Sequence, residues 1–272
     1  MADQDQKPAN AVNQVAENLS LLLGGSYSPD GLAQEDAGKA LQDRMYHRIA
    51  ALEARRQRNI ESIAKAAYED AADGEGSSGE DTLDQDWMAR FIDFAQEVGN
   101  DHMQQAWGHV LATETQKPGS ASIQALECLS NMTSEDLDLW ERAARITFPT
   151  GYLFKIGGRN EFDDFDVSER DVMRLQTLGL IQQSDDLSVT FYAPSKGLTF
   201  DFNGSDLIVR HPERQLFIMP AFHLTGIGLE LLPLLADVPV NMDYLTALGQ
   251  DLRSGGFDYR IRDGQGALIE HV

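Results

Sequence analysis

The 272-residue chain has one cysteine, Cys128, so no intrachain disulfide can form and nothing points to an oxidising compartment. No stretch approaches the ~20 consecutive apolar residues of a membrane-crossing helix. The opening residues, MADQDQKPANAV, lack the basic start and apolar run of a secretion signal, which makes a cytoplasmic location the expectation. Positive charge is also scarce: 22 basic against 44 acidic residues give a formal charge of −22. A field of that sign raises solubility and repels nucleic acid and anionic lipid at long range.

What is present supports a folded protein. Apolar residues make up 42% of the chain, enough for a substantial core. Val12, Val15, Leu19 and Leu22 fall at helical spacing, and Gly24-Gly25 supplies a stop before a loop with a Pro29-Asp30-Gly31 turn. From about Gly38 to Tyr68 the pattern predicts one long helix. Its stripe of Leu41, Met45, Ile49, Leu52, Ile60, Ile63 and Ala67 is close to a seven-residue repeat. Between Arg44 and Lys65 six basic residues face Glu53 and Glu61, a net charge of +4 within an acidic chain. The next 18 residues, EDAADGEGSSGEDTLDQD, contain no basic residue and read as an acidic linker centred on Asp73 to Leu83.

Beyond the linker, Trp87, Phe91, Phe94, Ala95 and Val98 share one helical face, and Met103, Trp107, Val110 and Leu111 share another. Gly99-Asn100 separates the two helices. Pro118-Gly119 ends the second, Ser120 or Ser122 caps a third, and Thr133 with Asp136 forms a capping box for a fourth. After Pro149 the texture becomes mixed. Ser168 with Asp171 caps a short helix, and Ser188–Tyr192, Leu198–Phe202, Asp206–Arg210 and Gln215–Met219 read as strands. Helices return at Leu224–Ala236 and Asp243–Arg253, and FDYRIRD supplies a last strand. The expected fold is α+β. Residues 1–72 form N-terminal helices, 73–85 the acidic linker, 86–150 a helical bundle, and 151–272 a winged-helix-like domain with an enlarged β insert.

Two resemblances follow from these residues. The run R-x-x-N-I-x-x-I-x-x-A (Arg56 to Ala66), then DWMARFIDFAQ, MQQAWGHVLATE and PGSASIQALECL, resembles a bacterial family known as domain of unknown function 2806, over Arg55 to about Leu252. The resemblance implies a shared fold and supplies no catalytic residue. Loosely similar helical proteins occur among abortive-infection and phage-defence genes, which makes a sensor or adaptor in defence or stress response a hypothesis. Locally, TLGLIQQ, a β-rich insert and FHLTGIGLELL are similar to winged-helix domains, in which Leu-Gly-Leu-Ile closes a helix, a wing follows and Leu-Thr-x-x-Gly opens the next helix. In that comparison Gly179 takes a left-handed stop, Thr225 caps, and Gly228 permits close packing.

No residue pattern nominates a catalytic, cofactor or metal site. On one helix His102 and His109 stand about 10.5 Å apart along the axis, too far to share an ion with Glu114. Glu161, Asp163, Asp164 and Asp166 lack the glycine turn and distal glutamate of a calcium loop. Cys128 has no neighbouring base, Gly226-Ile227-Gly228 lacks the rest of a phosphate loop, and Trp87, Trp107 and Trp140 read as core. The leading expectation is a non-enzymatic interaction or regulatory protein. It takes a protein partner, or associates with itself, through Met45, Ile49, Leu52, Ile60 and Ile63 with Arg55, Arg56 and Arg58 beside them. One alternative is a winged-helix DNA-binding regulator using Arg170 and Arg174. Another is a hydrolase whose site is assembled from residues distant in sequence.

Overall fold

The computed structural model describes residues 13–20, 37–73, 83–160, 162–184, 187–192, 197–211, 216–235 and 238–271. The expected stop at Gly24-Gly25, the turn after it and most of the acidic linker lie outside these residues. Residues 13–20 are helical. The long helix is α1 (Ala37–Asp73), 37 residues and about 55 Å. It is followed by α2 (Gln85–Ala95), α3 (Asp101–Gln116), α4 (Ile123–Ser130) and α5 (Ser134–Ala144).

Each start after α1 carries the cap its sequence offers. Asp84, Asn100 and Ser122 accept from the backbone N–H three residues on, and Thr133 with Asp136 forms the reciprocal capping box. Trp87 and Phe91 stack with ring centroids 5.3 Å apart, and Phe91 meets Trp107 edge-on at 5.3 Å. Trp87 Nε1 donates to Ala121 O at 2.7 Å, tying α2 to the turn before α4. α1 packs mainly on α3, and Gly108 makes that approach possible: a Cβ there would lie 2.5 Å from the Ala66 Cβ.

Strands begin after residue 150. β1 (Tyr152–Phe154), which alternation did not reveal, precedes a 3₁₀ turn at Asp163–Phe165 and α6 (Glu169–Thr177). The three expected strands follow as β2 (Ser188–Tyr192), β3 (Leu198–Phe202) and β4 (Ser205–Arg210). β5 (Leu216–His223) runs on through Pro220, whose carbonyl accepts from Lys155 N at 2.8 Å. Then come α7 (Gly226–Leu231) with a 3₁₀ turn at Leu232–Leu235, α8 (Met242–Ser254), β6 (Asp258–Arg262) and β7 (Leu268–His271). Among the described residues two antiparallel sheets result, ordered β1–β5–β2 and β3–β4–β6–β7. The fold is therefore α+β with a helical N-terminal part.

Buried residues form one contiguous cluster from Ile63 to Ile261, so the helical block and the sheets share an interior. Phe148 is central to it, stacked on Phe202 at 4.4 Å and edge-on to Phe154 at 5.1 Å. Tyr244, fully buried, donates its hydroxyl to Phe154 O at 2.9 Å, and burial pushes its pKa well above the usual range. Around Gly179 the expected stop and cap are present, without showing a winged-helix domain. Gly179 has φ +80°, Thr225 donates to its carbonyl and caps α7, and a Cβ on Gly228 would collide with Leu180 O.

Candidate functional site

Of the five apolar residues nominated on the long helix, the structure separates two groups. Ile63 is 1% exposed and belongs to the core, and Ile60 is partly buried against it. These two serve packing within the chain and are withdrawn from an interaction surface. Met45 and Ile49 are 45% and 46% exposed, Leu52 is half-buried, and Leu41 and Tyr46 add exposed apolar surface on the same half of α1.

The boundary between the groups is an ionic clamp. Arg55 and Arg56 both reach Glu97, in the connection between α2 and α3, at 2.6 Å. Arg56 also meets Glu53 at 2.9 Å, and Glu97 followed by Glu53 holds its guanidinium above its ordinary pKa. One turn further on, buried Asn59 donates to Gln96 O at 2.8 Å and Gln104 donates to its Oδ1 at 3.4 Å. Two of the three nominated arginines are thus engaged by their own chain, while Arg58 is exposed.

The residues nominated for DNA contact are placed differently. Arg174 makes a two-pronged pair with Asp136, Nε to Oδ1 at 2.7 Å and Nη2 to Oδ2 at 2.8 Å, which joins α6 to α5. Arg174 holds the Asp136 carboxyl at about 2, and the Thr133 backbone and hydroxyl add to the effect. That leaves Arg170, exposed, without Arg174 as a companion for phosphate. Asp163 and Asp164 are exposed residues of a 3₁₀ turn; Asp166 closes it at φ 62°, and Glu161 lies outside the described residues. Cys128 donates its thiol to Leu178 O at 3.3 Å, and burial raises its pKa.

The two histidines of α3 do not share a ligand, in keeping with their spacing, but each meets carboxylates from another helix. His102 Nε2 lies 2.7 Å from Glu141 Oε1, and its Nδ1 lies 3.2 Å from Asp138 Oδ1; both acids stand on α5, one turn apart. His109 Nδ1 lies 3.1 Å from Asp70 Oδ2 of α1. Beside the pairs is a cleft of ≈ 160 Å³, lined by Gln105, Ala106, Leu137, Leu234 and Leu235 together with Asp70, His102, His109 and Glu141. Sequence spacing missed the partners because Asp138 and Glu141 follow His102 by 36 and 39 residues. The one local signal was the i, i+3 pair of acids beside the core positions Leu137 and Trp140.

An α+β chain with a helical N-terminal block and these features is matched by one family model. Residues 43–155 match the family described as Protein of unknown function (DUF2806), so this part of the chain is similar to that family, from the exposed half of α1 to the end of β1. The resemblance expected as far as Leu252 is shown over that shorter stretch. Neither the curated proteins nor the solved structures give a match. Among the described residues no helix is long and apolar enough to cross a membrane.

Proposed function

We propose that the chain is a non-enzymatic interaction protein that pairs with a second copy of itself through the N-terminal half of α1. One observation carries this reading: the α1 seam continues past the end of its partner inside the chain. With Ile49 at heptad position a, Met45 and Leu52 occupy d; the next a is Arg56, drawn to Glu97, and beyond it Asn59, Ile63 and Ala66 are buried by the chain itself. A β-branched residue at a with leucine at d favours two parallel strands. Arg48 then falls at g and Glu53 at e, so a parallel neighbour places opposite charges beside the seam, which sets both partner and orientation. An antiparallel neighbour would set arginine ridges (Arg48, Arg55) side by side.

Light scattering tests the reading on the full chain. A mass twice that of one 30.1 kDa chain is expected, falling to a single chain in Ile49→Asp/Leu52→Asp with helicity by circular dichroism unchanged. A wild type that stays monomeric at high micromolar concentration, or a double variant that stays dimeric, ends the proposal.

A further inference from the structure

The cluster at His102 sets an imidazole of α3 against two carboxylates of α5. A neutral imidazole carries one N–H and one lone pair, so it can donate to only one carboxylate. Here both ring nitrogens face carboxylates, Glu141 at 2.7 Å and Asp138 at 3.2 Å. A metal ion taken up by one ring nitrogen leaves the other as an N–H donor to a carboxylate oxygen.

The geometry points to a divalent transition-metal site formed by His102, Asp138 and Glu141. The three ligand atoms lie within 4.8 Å of one another, and side-chain rotation must draw them together to reach ligand distances near 2.0–2.2 Å. Two carboxylates neutralise a dication, and the imidazole favours zinc or a similar ion over magnesium. The supports come from separate helices: His102 is the second residue of α3, and Asp138 and Glu141 project from one side of α5. Three protein ligands leave a fourth position open, and the cleft beside His102 and Glu141 gives it room for water. The His109–Asp70 pair lies at the other side of that cleft and is not part of the ligand set. This site is independent of pairing through α1.

Calorimetric titration of the full chain with Zn²⁺, at a salt concentration that screens its −22 charge, provides the test. One zinc per chain is expected, with binding weakened at least about tenfold in His102→Gln and in Asp138→Asn/Glu141→Gln. His109→Gln should retain it, and Mg²⁺ should bind far more weakly. Zinc should raise the melting temperature of wild type and His109→Gln but not of the other two variants; all four proteins are first compared by circular dichroism without metal. Absent saturable binding, equal binding of Mg²⁺, zinc affinity unchanged by His102→Gln, or loss of binding in His109→Gln would each overturn the assignment. In the first case the cluster is a tie between helices.

Discussion

From Asn59 onward α1 lies against α3, whereas from Leu41 to Leu52 the same helix, with the same spacing of apolar residues, faces solvent. The comparison isolates what makes an amphipathic stripe into core. Most helical stability in proteins comes from tertiary packing of the apolar face rather than from propensity. In the inner half that packing is supplied by α3, where Gly108 meets Ala66 and Gln104 reaches Asn59, and Ile63, Ala66 and Ala67 are closed from water. In the outer half no helix among the described residues covers the stripe, and the Glu97 clamp marks where one regime gives way to the other.

Substitutions along α1 should reproduce that division when global stability is followed by urea denaturation. Ile63→Ala, in the buried half, is expected to cost about 2–5 kcal/mol. Gly108→Ala, which drives a methyl into Ala66 from the opposite helix, should cost about 1–3 kcal/mol. An equal loss from Ile49→Ala in the separated chain would erase the contrast and show the outer half to be covered within one chain.

Asp136→Ala serves as a reference away from α1, where a buried carboxylate rather than an apolar seam joins two helices. It should cost about 1–3 kcal/mol at neutral pH. Because its folded pKa lies near 2, below the ordinary 3.8, the stabilisation is complete above the ordinary value and is lost as pH falls through 2. The stability gap between wild type and variant should therefore close across that acid window.

At the boundary itself, Glu97→Ala should cost only about 0.5–1 kcal/mol, since the paired groups are partly exposed. Its sharper signature is faster amide exchange at residues preceding Asn59. Ile49→Ala should change the stability of the monomer by less than about 0.5 kcal/mol.

Much of this architecture was legible beforehand because its signals are local. Ser122, Thr133, Ser168 and Thr225 cap the helices that their neighbours imply, and β2 and β3 have the bounds that alternation predicted. Three-residue β1 was hidden because Leu153 and Phe154 are both buried, which removes the alternation. β5 runs past the expected end at Met219 because Pro220, which has no ladder donor, contributes its carbonyl to Lys155. The division of the long stripe was not legible, because Ile49 and Ile63 differ only in whether another helix lies opposite. The same holds for the His102 cluster, whose members come together through packing of α3 beside α5 and not through spacing in the chain.

The buried Glu114 has a consequence for motion. Its carboxylate, 4% exposed, accepts from Gly119 N at 2.6 Å, Ser120 Oγ at 2.9 Å and Ala121 N at 2.9 Å. A segment with the composition of a flexible loop, Lys117 to Ser120, is thereby wrapped around a charge that cannot be uncovered without water or a substitute donor. Local opening of the turn must strand that carboxylate or admit solvent to the core beneath Trp87. The turn should accordingly exchange its Gly119 and Ala121 amides on the timescale of cooperative unfolding of the helical block, as a foldon member and not as a loop.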